Sequence, residues 1–200
     1  MLVKYTSILL IGVITLSSCA SGYRPMLPRQ MSFSSLEGEG IKYSYRYNVL
    51  SETRNKKYAN KELKHGVKLI ALQVQNTTDE EVILREHARF YTGDKQVLPL
   101  DPKQMQQQVK QPGGLYMLWS LLWLYYTKCE GFECNTIPIP IGVVIGLLNL
   151  STASRANKDL LSELISNNIL DKRIAPGETV TGLLGISSDG SLPLEIRLSR

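Results

Sequence analysis

At 200 residues the chain has length for one well-buried domain and too little for two comfortable ones. Its 23 Lys and Arg against 18 Asp and Glu leave a net charge of +5, an excess that favours anionic surfaces without demanding them. The basic residues do not interleave with aromatics along one evident face, which argues against nucleic acid as a partner.

Residues 1–18 read as an export leader. Lys4 and the free amine make a positive start, and the apolar run over residues 5–16 is shorter than the roughly 20 residues of a spanning helix. The run closes on Leu16, Ser17, Ser18 and Cys19: an aliphatic residue, two small ones, then a cysteine. That order resembles the lipobox of bacterial lipoproteins. The resemblance implies cleavage before Cys19 and lipidation of its sulfur, with palmitate-like acyl chains holding the protein to a membrane. At about 0.8 kcal/mol per buried methylene, two or more chains give stable attachment where one does not. Because Ala20 rather than an aspartate follows the cysteine, the resemblance further implies the outer membrane of a two-membrane bacterium, with the chain facing the periplasm. The competing reading is an ordinary secretory signal with a coincidental cysteine.

With Cys19 committed to lipid, Cys129 and Cys134 remain as a pair in CEGFEC. In an exported chain a local disulfide is the expectation. The alternatives are two free thiols or a metal site, but His65 and His87 stand at no zinc spacing relative to the pair. No metal or cofactor is expected.

After the leader, residues 19–36 hold Gly22, Pro25, Pro28 and many serines without periodicity, and read as a lipidated flexible tether. Residues 37–200 form the expected domain. Ile41, Tyr43, Tyr45, Tyr47 and Val49 alternate with polar residues and predict a strand, its tyrosine row packed on the core or serving as a ligand platform. The basic run at 51–66 predicts a solvated loop or short helix, or a contact for anionic headgroups. VKLIALQV at 67–74 is apolar on both faces, as in a central strand. A third strand is expected from Glu81 to Tyr91, with His87 half-exposed on it rather than acting as a base. Asp101 and Pro102 predict the start of a short helix running to about Lys110.

Residues 112–168 read as an insertion. LYMLWSLLWLYY at 115–126 and IPIPIGVVIGLLNL at 137–150 are almost wholly apolar and predict a helical hairpin turned by CEGFEC, the second helix beginning after Pro138 and Pro140. Each arm would be roughly 20 Å long as helix, short of the roughly 30 Å hydrocarbon core, and Glu130 and Glu133 at the turn oppose deep insertion. The arms either cover an open sheet face, or set Tyr116, Trp119, Trp123, Tyr125 and Tyr126 at the headgroup layer, or form a groove for an apolar ligand or a partner's hydrophobic segment. Gly142 and Gly146 make a GxxxG pair that permits close helix contact, as in dimerisation. Residues 153–168 then predict an amphipathic helix with Leu160, Leu161, Leu164 and Ile165 on one side.

The closing block predicts strands at 179–187 and 192–199, with residues 169–174 as a further candidate. Early and late strands must pair across the insertion, which predicts a mainly β chain: an immunoglobulin-like antiparallel β-sandwich plus the apolar helical hairpin. VQNTTDEEVIL and IAPGETVTGLLGI resemble the strand pattern of small Ig-like sandwiches in bacterial envelope lipoproteins, which implies a binding or structural module. GISSDG has the wrong context for a nucleophile elbow, and no phosphate loop, HExxH or calcium loop is present, so no enzymatic activity is expected. The function expected is noncovalent binding by a lipid-anchored envelope protein, as a component of an envelope assembly or as a carrier or sensor of an apolar small molecule. The oligomeric state is left open.

Overall fold

The computed structural model describes residues 19–34, 40–188, 190 and 192–198, so the leader expected over 1–18 lies outside the described residues. In chain order the strands are β1 Ile41–Arg46, β2 Val67–Asn76, β3 Val82–Ile83, β4 Ala88–Thr92, β5 Lys95–Val97, β6 Pro99–Leu100, β7 Leu124–Glu130, β8 Glu133–Ile139, β9 Arg173–Ile174, β10 Thr179–Ser187 and β11 Leu194–Leu198. The helices are α1 Val49–Glu52, α2 Lys56–His65, α3 Leu84–His87, α4 Pro102–Val109 and the long α5 Ile141–Ser166, with 3₁₀ segments at Pro28–Gln30 and Gly113–Leu121. The chain is thus mixed α/β, with several small antiparallel sheets among helices. Its described residues divide into a larger unit, within 23–110 and 157–198, and a smaller one, residues 19–22 and 111–156. The boundary falls inside α5.

In the larger unit the expected pairing of early with late strands is present. β2 lies between β1 and β10, and β6 extends the sheet beyond β10; β4 lies between β11 and β5 in a second, three-stranded sheet. Every one of these pairs is antiparallel. Ile70, Leu72, Val74 and Leu184 from the first sheet join Phe90, Val97, Leu194 and Ile196 from the second in one core. The unbroken apolar run of β2 follows from its position, since Val67, Leu69 and Ala71 on its other parity are buried as well. There Glu62 of α2 accepts the Leu69 N–H at 2.6 Å, and Met105 of α4 lies against Gly185, where a Cβ would come within 3.2 Å of it.

Several elements depart from expectation for identifiable reasons. β1 stops at Arg46 because Asn48 takes a left-handed backbone (φ 60°), which starts α1 and carries Val49 into a helix. The basic run over 51–66 takes the short-helix form expected of it over Lys56–His65, closed by Gly66 at φ 60°. The third strand is interrupted by the single turn α3, where His87 Nδ1 accepts the Ile83 N–H at 3.0 Å; His87 is therefore half-buried in a helical turn rather than on a strand. Leu84 and Ala88 are both buried, and a spacing of four suits a helical turn as well as a strand, so periodicity alone does not separate the two. α4 begins as expected on Asp101, whose N–H donates to Gln104 Oε1 at 3.2 Å in a capping box.

The segment expected to be a free tether is bound over its described residues. Asn55 grips the Arg24 backbone through both amide atoms, at 3.0 and 2.8 Å. Glu163 of α5 accepts the N–H groups of Met26 and Leu27, both at 2.9 Å, and the Tyr23 hydroxyl. Met26 is buried, and Tyr23 meets Tyr58 edge to face at 6.1 Å. Burial first, then the bond to Glu163, holds the Tyr23 phenol well above its ordinary range.

Candidate functional site

The smaller unit is where the sequence departs furthest from an ordinary soluble surface. Between Gln111 and Ser154 the charged residues are Lys128, Glu130 and Glu133, all close to one turn. The expected helical hairpin is absent. Residues 113–121 are a 3₁₀ helix, β7 and β8 form a two-stranded β-hairpin, and only the second arm is helical, from Ile141, directly after Pro140 as expected. Tyr126 and Thr127 face Ile137 and Thr136, aromatic and β-branched residues that suit cross-strand pairing, and Tyr125 faces Pro138. Gly131 supplies the positive φ, 64°, of the connecting turn.

An isolated two-stranded hairpin is marginal in water, and this one carries its own fastenings. Cys129 and Cys134 stand opposite each other and form the disulfide expected of them. The Thr127 and Thr136 hydroxyls meet across the strands at 2.9 Å, and Lys128 pairs with Glu130. Every residue of both strands is exposed, and Phe132 projects fully at the turn.

The 3₁₀ helix is seated on the start of α5 by the glycine pair. A Cβ on Gly142 would lie 1.8 Å from the Trp119 carbonyl oxygen, and one on Gly146 would lie 3.1 Å from that of Tyr116. The Gly142 N–H donates to Leu122 O at 3.0 Å. The GxxxG pair is therefore filled by the chain's own 3₁₀ helix, which approaches as closely as only glycine permits. Along α5 the buried positions are 142, 146, 149, 153, 156, 160 and 164, a helical stripe of small residues that turns to leucine beyond Ala156.

Two amides in this unit fix the backbone that follows Cys19. Asn149, on the buried stripe, accepts the Ala20 N–H at 2.6 Å and donates to Ile145 O at 2.9 Å. Gln111 accepts the Ser21 N–H at 3.1 Å and donates to Ser21 O at 2.7 Å, so the side-chain amide pairs with the backbone as a neighbouring strand would. Cys19 itself is half-buried and takes no part in the disulfide. Burial raises the Tyr116 phenol, and the Cys19 thiol close by adds to the shift. Neither Asn149 nor Gln111 was singled out by sequence reasoning; for the first, an amide interrupting the apolar run 141–150 is a signal that could have found it.

The expected contact aromatics separate. Tyr116 is buried at 6% exposure with its hydroxyl on Gln111 Oε1 at 3.4 Å, so it supports the unit from within. Trp123, Tyr125 and Tyr126 are exposed, and half-buried Trp119 joins Leu115, Leu118, Leu121 and Leu122 around a shallow, open depression of ≈ 490 Å³. Outward on α5, Val143, Val144, Leu147 and Leu148 are exposed too. The unit therefore shows apolar side chains on its 3₁₀ helix, its hairpin and the start of α5.

No described helix is long and apolar enough to cross a membrane, and no group of three or more His, Cys, Asp and Glu among the described residues is placed to hold a metal ion. Comparison with protein families, curated proteins and solved structures finds no match to this chain.

Proposed function

We propose that this chain is a lipid-anchored envelope protein, held at Cys19 on the periplasmic side of an outer membrane, that acts by noncovalent binding as a component of an envelope assembly. The observation that carries the reading is the junction at Cys19. The lipobox-like order Leu16, Ser17, Ser18, Cys19 ends where Ala20 and Ser21 are hydrogen-bonded into a unit whose outward residues are apolar. Acyl chains on Cys19 would leave the protein beside that surface.

The four- and three-stranded antiparallel sheets of the larger unit feed one core, which supports an immunoglobulin-like arrangement there and hence a binding module. The carrier reading is the weaker one. A small-molecule site buries 70–90% of a ligand, roughly, and the depression around Trp119 is too open to do so.

Metabolic labelling with clickable palmitate tests the anchor: the wild-type chain is expected to label and to fractionate with membranes, and Cys19→Ala to do neither. Equal labelling of the two would end the proposal. Crosslinking in intact cells, read by mass spectrometry, is expected to return the same neighbouring envelope protein repeatedly; copurified lipid with no protein neighbour would favour the carrier instead.

A further inference from the structure

We infer that the apolar surface of the smaller unit beds into the same lipid leaflet that holds the acyl chains of Cys19, so that the protein grips the membrane with its fold as well as with its lipid. This deepens the anchored reading above and rests on it.

Continuity with the anchor names the occupant. Ala20, one residue beyond Cys19, is bonded to Asn149 of α5, and Leu148 beside it in sequence is exposed. No spacer separates the lipidation site from this unit, so any leaflet that takes the acyl chains lies against whatever surface surrounds Cys19. The unit that holds the residues following Cys19 exposes Leu118, Leu121, Trp123, Val144 and Leu148, with no charged side chain from residue 111 to 127 or from 134 to 154. A partner protein's interface normally has a polar, charged rim, whereas a charge-free field with tryptophan and tyrosine among leucines matches the boundary between headgroups and hydrocarbon.

The charges set the depth. Lys128, Glu130 and Glu133 stand at the turn end of the β-hairpin, seven-residue strands away from Leu124 and Ile139 at its base. Carboxylates do not enter hydrocarbon, so that end stays in the aqueous layer and the unit lies on the leaflet instead of piercing it. The outward face of α5 follows the same division: Val143, Val144, Leu147 and Leu148 precede Arg155, Lys158 and Asp159, which are exposed and polar.

The test uses the two tryptophans of the chain, Trp119 and Trp123, as reporters. The full mature chain, made both lipidated and as Cys19→Ser, is mixed with vesicles of phosphatidylethanolamine and phosphatidylglycerol, with and without brominated acyl chains. Quenching by the brominated lipid is expected in both forms. The paired change Leu118→Asp and Leu121→Asp should weaken vesicle partition of the unlipidated chain by roughly tenfold or more and abolish quenching in the lipidated one. Ser162→Asp, on the polar half of α5, should change neither. Circular dichroism confirms that the variants are folded, as expected for exposed positions. Lipidated protein that stays on vesicles with unquenched tryptophans overturns the inference while leaving the anchor standing. Quenching of Cys19→Ser in a protein that never labels with palmitate removes the anchor and keeps the surface. A dimer in sedimentation that shields both tryptophans from lipid assigns the surface to a second copy and overturns the inference.

Discussion

The two halves of α5 share one buried stripe and differ on the outside. From Gly142 to Ala156 the stripe is small, closely approached by backbone at its glycine end, and the outward residues include Val143, Val144, Leu147 and Leu148. From Ala156 to Leu164 the stripe becomes leucine, and the outward residues become Lys158, Asp159 and Ser162. The second half has the amphipathic pattern of a helix covering a core in water. In the first half the outer face is as apolar as the inner one, which in a soluble setting would favour association. The two units differ in the same way: the larger one exposes scattered leucines such as Leu63 and Leu98 around a core that holds Ile70, Leu72 and Phe90, while the smaller one displays apolar residues in series, Leu118, Leu121 and Tyr125 among them, at 64, 76 and 71% exposure.

The sharpest way to break that comparison is to shorten one leucine-sized side chain in each unit. Ile70→Ala, at a fully buried position of β2, is expected to cost about 3 kcal/mol through lost burial and the cavity left behind. Leu121→Ala should lie within about 0.5 kcal/mol of wild type. Urea midpoints of the two variants settle the matter, and an equal loss in both would mean that Leu121 belongs to a core.

A second contrast concerns charge. Glu62 is buried in the larger unit, and burial pushes its carboxyl up to about 7, more than the Leu69 N–H and Lys68 pull it down. An acid whose folded pKa exceeds its unfolded value of 4.5 favours folding most when protonated. The contribution is therefore complete below about pH 4.5 and is lost as the pH rises towards 7. Glu62→Gln keeps an acceptor for Leu69 and is expected to raise stability at pH 8 by roughly 2 kcal/mol, with little change at pH 4. Thermal melts across that range should show a flatter profile for the variant; parallel profiles would remove Glu62 as the source of the slope.

Glu163→Ala should cost about 1.5 kcal/mol, because it frees three donors from Tyr23, Met26 and Leu27 at once. Hydrogen exchange at Met26 and Leu27 should accelerate while the β2 amides stay protected. Reducing the Cys129–Cys134 disulfide has the smallest expected effect. Its hairpin buries nothing, so the main unfolding transition should move by less than about 0.5 kcal/mol, whereas tryptic cleavage after Lys128 should become faster. A large drop in the main transition would show that the hairpin supports the rest of the chain.

Much of the larger unit was legible. β2, β10 and β11 follow from apolar runs bounded by turns, and α4 follows from Asp101 and Pro102. The β-hairpin was not, although a glycine turn between two cysteines lay within it. A run that is apolar on every residue has no period, so length alone favoured helix over strand, and the pairing of Tyr126 with Ile137 could be chosen only across the turn. The bound state of residues 20–27 was equally hidden, since glycine, proline and serine describe a free chain until a distant side chain captures it. Asn149, Asn55 and Glu163 do so here from far along the sequence.

Local chemistry, then, was enough to set the strands β2, β10 and β11, where α5 starts after Pro140, and which cysteines join. Each of these depends on neighbours a few residues apart. Tertiary structure decided which apolar residues face inward, which backbone approaches Gly142, and that the residues following Cys19 are held on the apolar unit. Those outcomes depend on hydrogen bonds and packing between segments more than a hundred residues apart, such as Ala20 with Asn149, which no local pattern encodes.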